Sequence, residues 1–278
     1  MNSCSIDIVV PTYNSIATLD WTLLSLSKLN GCGIQARVII VDSGSNDGTI
    51  EVTDRYGFER SFCPPGNMYA AINCGFKLGV SEWCTYINSD DLLYSGAFSN
   101  MVQAAYRSNA DILYGNIDYI DADGRFLHSW NSASVSQLKP LFCTEMKNPI
   151  PQPGTVFTRK VYKKLGGFKE DFRYVSDGDF FRRACSEGAK FRKHNGTVAA
   201  FRVHKSQISN AHQERMLKEA HMACFRLDGV TSWQRTYTSL RTRMQNIPNY
   251  FMRIARLYQL HKKLSLARTL TVHEERVE

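Results

Sequence analysis

The stretch Trp83-Cys84-Thr85-Tyr86-Ile87-Asn88-Ser89-Asp90-Asp91 runs from apolar, β-favouring residues into two adjacent carboxylates. Aromatic and β-branched residues entered through Gly79 and Ser81 predict a buried strand in the middle of an α/β sheet. Ligands of such sheets bind beyond the carboxyl ends of the strands. Neighbouring carboxylates there repel each other unless a cation or donor-rich ligand lies between them, and their hard oxygens suit Mg2+ or Mn2+ holding a diphosphate. The pair fits equally well a solvated turn that caps the next helix, and on this stretch alone both readings stand. A second acidic pair, in Tyr174-Val175-Ser176-Asp177-Gly178-Asp179, opens a predicted helix, where the helix dipole by itself favours carboxylates.

The elements that must carry these residues alternate. Ile6–Val10 reads as a strand broken by Asp7 and ended by Pro11-Thr12-Tyr13-Asn14; Ser15 or Thr18 then caps a helix bearing Leu19, Leu23, Leu26 and Leu29. Ala36–Val41 is a second strand, and the turn-rich Asp42–Thr49 leads into a second helix. An extended piece over Arg60–Cys63 and a break at Pro64-Pro65-Gly66 precede a helix over Met68–Leu78, with Tyr69, Ile72 and Phe76 on one side. This rhythm predicts a parallel, doubly wound sheet. From Ile112 it changes: strands over Ile112–Gly115, Ile117–Ile120 and Arg125–Trp130, with a hairpin at Asp121–Gly124, predict a mixed second half. The rigid Asn148–Thr155 segment, not helical, shapes a wall of the cleft before a short strand and a helix over Lys160–Leu165. Phe191–Thr197 and Val198–Val203 read as strands ending at His204, and Ser209–Leu227 and Asn249–Leu270 as helices.

With 278 residues, 43% hydrophobic and 22% charged, the chain has material for one large α/β domain with a helical appendage. No apolar run approaches the roughly 20 residues that span a bilayer, and no basic, apolar leader precedes the first strand, which predicts a cytoplasmic protein. The eight cysteines form no C-x-x-C pair, leaving zinc and redox motifs unsupported and suiting reduced thiols. Asn195-Gly196-Thr197 matches a glycosylation sequon, read as chance in such a protein. Between Gly229 and His273 there is no acid, while eight Lys and Arg residues account for the whole formal net charge of +8. The body is therefore balanced, which argues against a nucleic-acid surface there. A basic, amphipathic Asn249–Leu270 helix fits either an anionic membrane surface or its own domain, and both stay open.

The ordered set Val9-Val10-Pro11-Thr12-Tyr13-Asn14, Val41–Thr49, Asn88-Ser89-Asp90-Asp91 and Ser176-Asp177-Gly178-Asp179 resembles the family 2 glycosyltransferases of GT-A fold. Tyr69–Gly75 and Gln152-Pro153-Gly154-Thr155 resemble segments of bacterial polysaccharide-building members. The likeness covers residues 5–206, with 207–278 left as a helical, basic extension. It implies a Rossmann-like mixed sheet with helices on both faces. It further implies that Pro11, Thr12, Tyr13, Asn14, Asp42 and Asp90 bind the nucleotide, with Asp42 on the base and Asp90 on ribose or sugar. Asp91 and His204 hold Mn2+ or Mg2+, Asp177 is the catalytic base, and Asp179, Asn73 and Gln152 lie toward the donor or acceptor sugar. A histidine hydrogen-bonded at a strand end is the alternative for His204, and a structural role that for Asp179.

Three positions depart from the pattern: Ser43 and Ala70 where many relatives carry acids, and Ser176 where many carry Glu. The last removes a like charge beside Asp177 and should leave it more acidic than in those relatives. The implied activity is inverting transfer from a nucleotide-diphosphate sugar, UDP being expected, to a saccharide acceptor, lipid-linked, in surface polysaccharide synthesis, on the cytoplasmic face of the membrane. Another doubly wound nucleotide enzyme is the first rival, although no G-x-G-x-x-G follows the first strand. A non-catalytic nucleotide-sugar-binding or scaffolding relative is the second.

Overall fold

The computed structural model describes residues 4–143, 148–204, 213–223, 230–252, 254, 255 and 258. Among these, nine strands form one sheet in the order β3-β2-β1-β4-β8-β6-β9-β5, with β7 paired to β6. The first half is parallel: β1 (Ser5–Thr12) lies between β2 (Gln35–Asp42) and β4 (Trp83–Tyr86), with β3 (Glu59–Phe62) outside β2. β8 (Thr155–Thr158) then runs antiparallel between β4 and β6 (Ile112–Ile120), whose neighbour β9 (Phe191–Arg202) is parallel to it. β5 (Leu92–Leu93) and β7 (Phe126–Trp130) add antiparallel pairings. The mixed second half is as the pattern predicts.

Helices cover both faces. α1 (Ile16–Ser27), α2 (Thr49–Tyr56) and α4 (Ser95–Tyr106) close one apolar core, through Leu19, Leu23, Val52, Phe98 and Met101. α3 (Met68–Leu78), α5 (Val135–Phe142), α6 (Arg159–Lys164) and α7 (Ser176–Ser186) close the other, through Ile72, Phe76, Phe142, Val161 and Phe180. α3 lies so close to the sheet that a Cβ on Gly75 would stand 2.6 Å from Val9 Cγ1. α8 (Gln213–Ala223) and α9 (Ser232–Gln245) follow.

Several expectations are corrected. β6 and β9 are each one strand where two were expected, because register shifts around Asn116 absorb the interruption without ending the ladder. β4 stops at Tyr86, before the carboxylates. α5, unforeseen, starts in a Ser134/Gln137 capping box and tolerates Pro140. The Asn148–Thr155 wall contains a short 3-10 turn at Gln152–Gly154. Neither Ser15 nor Thr18 caps α1 with its side chain; Asp47 Oδ2 accepts from the Ile16 N–H at 3.1 Å instead. Of the two C-terminal helices, Gln213–Ala223 and residues 249–252, 254, 255 and 258 are helical, and the remainder lies outside the described residues, as do Arg253, Arg256, Lys262, Lys263 and Arg268.

The described C-terminal part packs on the body. Glu219 accepts from the backbone N–H groups of Arg173 and Tyr174, Arg182 donates to the Ala223 carbonyl at 2.9 Å, and Trp130 meets Tyr250 edge-on at 6.0 Å. No helix of the described residues is long and apolar enough to cross a membrane. The seven described cysteines are free.

Asp7, the charge that interrupts β1, is fully buried. It pairs with Arg159 and accepts from the Ser81 N–H at 2.8 Å and hydroxyl at 2.9 Å, joining β1 to the start of α6. Removing one partner of a buried pair strands the other. Arg159→Met should therefore lower the unfolding free energy in urea titrations by about 3–5 kcal/mol, and adding Asp7→Asn should recover part of that loss.

Candidate active site

The parallel strands deliver their loops to one end of the sheet. At the end of β1, Thr12 Oγ1 donates to Asp42 Oδ1 at 3.0 Å, and Asn14 takes a left-handed backbone (φ 49°). Its N–H donates to Ser45 Oγ at 2.8 Å, while its Oδ1 accepts from the Asn46 N–H at 3.0 Å. Tyr13 is 58% exposed, a free aromatic face at the rim beside buried Thr12. Asp42 accepts from Thr12, from the Ser45 hydroxyl (2.6 Å) and from the N–H groups of Gly44 (2.8 Å) and Ser45 (2.9 Å). Four donors occupy the four acceptor positions of a carboxylate. Asp42 thus shapes the loop, and a base could reach it only by displacing one of the two hydroxyls.

The loop after β4 is tied to the same rim: Ser89 Oγ donates to Ser15 Oγ at 2.9 Å and Thr18 Oγ1 to the Ser89 carbonyl at 3.0 Å. The adjacent acids separate sharply. Asp90 is partly exposed, with Oδ2 2.9 Å from His204 Nε2. Asp91 is fully buried; its Oδ1 accepts from the Arg202 N–H at 2.9 Å and its Oδ2 from Asn88 Nδ2 at 3.3 Å. Burial, with Asp90 beside it, pushes the Asp91 carboxyl well above the usual carboxylate range. Asp91 therefore sits behind the site, and the metal role expected of it fits Asp90 better on these grounds. Asn88 Oδ1 is buried with no hydrogen-bond donor.

Asp177, on the first turn of α7, is half-buried. Tyr69 donates to its Oδ1 at 3.2 Å and Asn148 Nδ2 to its Oδ2 at 3.3 Å. Burial raises the Asp177 carboxyl above its ordinary pKa, opposed by the Gly178 N–H and by Tyr69 and Asn148. Desolvation outweighs these three donors. Gln152 Nε2 donates to the Tyr86 carbonyl at 2.6 Å, bringing the 3-10 turn beside the same strand end.

Two expected sugar contacts are committed elsewhere. Asp179 is buried between Arg183 (2.6 Å) and Lys169 (3.3 Å). Asn73 donates to the Phe168 carbonyl (2.8 Å) and Glu170 (2.9 Å) and accepts from the Tyr162 hydroxyl (2.8 Å) and Phe168 N–H (3.1 Å). Both fasten the chain around α3 and α7, the structural alternative in the case of Asp179. The side chains at the site that were not foreseen are Tyr69, Asn148 and Ser45. A tyrosine hydroxyl on an otherwise apolar, core-facing helix side was the available signal for the first.

Among the described residues no group of three or more His, Cys, Asp or Glu side chains is placed to hold a metal. Asp90 and His204 can supply one oxygen and one nitrogen, and the diphosphate and water would complete the shell, as is usual for such cations on phosphate substrates. A mixed carboxylate–imidazole set suits Mn2+ better than Mg2+. The residues present fit the group.

The chain is 26% identical over 126 residues to poly(ribitol-phosphate) β-N-acetylglucosaminyltransferase TarP of Staphylococcus aureus, a match covering 43% of this chain and 38% of TarP. It is 26% identical over 144 residues to succinoglycan biosynthesis protein ExoO of Rhizobium meliloti, covering 49% and 40%. Each match spans less than half the length of the relative. Among solved structures, S. aureus TarS 1–349 with UDP superimposes with a TM-score of 0.58 at 17% identity, covering 78% of this chain and 70% of that one. The mannosyltransferase PcManGT of Pyrobaculum calidifontis, with GDP-Man and Mn2+, gives 0.55 at 15%, covering 96% and 83%. The fold is therefore the GT-A fold. Residues 7–166 match the sequence description of glycosyl transferase family 2, to which this chain belongs.

Proposed function

We propose that the protein is an inverting glycosyltransferase. It moves a sugar from a UDP-sugar to a hydroxyl of a lipid-linked saccharide, at the cytoplasmic membrane face, in bacterial surface polysaccharide assembly. The observation that carries this reading is the environment of Asp177. Of the buried carboxylates, Asp7 and Asp179 are paired with cations and Asp42 is saturated. Asp177 alone combines partial exposure, neutral side-chain donors and a raised pKa. A carboxylate of that kind can accept a proton. The names of TarP and ExoO support polymer assembly, and the UDP and UDP-GlcNAc complexes of TarS support the nucleotide.

In this reading the acceptor oxygen attacks the anomeric carbon from the side opposite the leaving group. The bond to the diphosphate oxygen breaks as the new C–O bond forms, and Asp177 takes the acceptor proton. Tyr69 and Asn148 aim the carboxylate. Tyr13 stacks on the base, Pro11 near the end of β1 and Asn14 in the turn after it lie beneath, and Asp42 fixes the loop around it, its hydroxyl partners yielding one position. A divalent cation, when bound, neutralises charge on the departing diphosphate. Asp90 and His204 are the residues that would hold it, with Asp91 anchoring the strand behind them. Gln152, on the 3-10 turn, lines the acceptor side.

Titration calorimetry of UDP, GDP and dTDP with and without Mn2+ tests the donor half. UDP binding should require Mn2+ and be lost in Asp90→Asn, while Asp91→Asn should mainly lower stability. Absence of binding by all three nucleotides would remove the transferase reading. For the catalytic half, Asp177→Asn should lower kcat by about 10²–10⁴ with donor affinity kept. The base acts only when deprotonated, so the rate should fall as pH drops through its raised pKa. Tyr69→Phe removes a donor that favours the carboxylate, and the acid limb of its pH–rate profile should move to higher pH.

A further inference from the structure

The helix α9 and the turn of chain after it present the wrong face to water. Thr238, Asn246 and Asn249 are buried against the body. Thr242 accepts from Gln137 at 3.1 Å, and the Asn246 side chain accepts from the Asn131 N–H at 3.0 Å and donates to its carbonyl at 3.2 Å. Asn249 donates to Asn246 at 3.0 Å, extending that polar seam. On the opposite side, exposed apolar residues recur at steps of four and three: Trp233, Tyr237, Leu240, Met244, Ile247 and Phe251, between 44% and 71% exposed. Residues 254 and 258 keep the beat. A surface helix of a soluble domain has the reverse pattern, its apolar stripe turned to the core. An apolar stripe of this length needs a cover.

The charges beside it point to what covers it. Arg241 and Arg243 flank Leu240 and Met244 on either side, and the sequence from Gly229 to His273 holds eight basic residues and no acid. Two copies joined along this stripe would bring those arginines beside the partner's seam with no carboxylate to meet them, whereas paired helices ordinarily place opposite charges there. Half of the eight stripe positions are aromatic, including Trp233 and Tyr237 stacked at 5.2 Å. Large amphipathic rings with arginines at their sides suit the boundary between acyl chains and anionic headgroups. We infer that the outward face of α9, continued through Phe251, lies in the headgroup region of an anionic phospholipid bilayer. The polar seam to Gln137 and Asn131 makes the docking rigid, so the membrane sets the orientation of the whole catalytic body. Binding at this face is independent of the transfer chemistry.

The test is co-sedimentation of the full chain with phosphatidylglycerol-containing vesicles and with vesicles of phosphatidylcholine alone. The parent should pellet with the anionic vesicles and shift its tryptophan emission to the blue, a shift that Trp233→Phe diminishes. Leu240→Glu with Met244→Glu should weaken vesicle partitioning by about tenfold or more while leaving the circular dichroism spectrum parent-like. Arg241→Gln with Arg243→Gln, which leaves the apolar stripe whole, should weaken binding to anionic vesicles and abolish its salt dependence. A parent that stays in the supernatant with both vesicles overturns the inference. So does vesicle binding that survives both variants, or a dimer in sedimentation equilibrium that Leu240→Glu with Met244→Glu converts to monomer.

Discussion

Asp91 is a carboxylate without access to water, and much of the site follows from satisfying it. A buried carboxylate needs donors, and these come from Asn88 beside it and from the backbone of Arg202 at the end of β9. Its own carbonyl accepts from Thr22 of α1 at 2.8 Å. Arg202 completes the joint: its Nε donates to the Asp90 carbonyl at 2.8 Å, its Nη1 to the Ala122 carbonyl at 2.9 Å, and its guanidinium lies 4.7 Å from the Trp21 ring centre. The ends of β4 and β9, the first helix and the β6–β7 hairpin are thereby drawn to one point. Asp90 precedes Asp91 by one residue and His204 follows Arg202 by two, so the pairing of Asp90 with His204 follows from a joint made just behind it.

The carboxylates divide by the kind of partner that holds them. Asp7 and Asp179 face arginines, and these pairs fix the scaffold on either side of α6 and α7. Asp177 is held by a tyrosine and an asparagine. A cation in that position would stabilise the anion and weaken it as a proton acceptor, whereas neutral donors orient the group and leave its basicity to burial. Tyr69, on α3, ties the orientation of Asp177 to the helix packed against the central strands.

The alternation of strand and helix, the mixed second half and the helices on both faces were legible in apolar periodicity, because each is a local property of the chain. What acids and amides do was not, since it depends on partners far away. Asn73 reads as a polar residue on a helix in a suggestive motif, and its partners stand at Tyr162, Phe168 and Glu170. Asp90 and Asp91 are adjacent and chemically equivalent; partners more than a hundred residues on, the Arg202 N–H for Asp91 and His204 for Asp90, distinguish them. The apparent break at Gly115 was misleading for a related reason. Its missing side chain allows β9 to approach, with Val198 2.8 Å from where a Cβ would be, so the glycine marks crowding within one long strand rather than a turn.

The position of β8 has a consequence for how such a site can diversify. It runs antiparallel between β4 and β6, so its amino end lies beside the carboxyl end of β4. The segment leading into it, from Asn148 to Gly154, therefore arrives at the mouth of the cleft, touching Asp177 through Asn148 and Tyr86 through Gln152. Length and composition can drift there without altering the ladder that β8 makes, since the strand is held by pairing on both sides. One reversed strand thus uncouples the segment at the mouth of the cleft from the strand ends beside it, so that the first can change while the others keep their geometry.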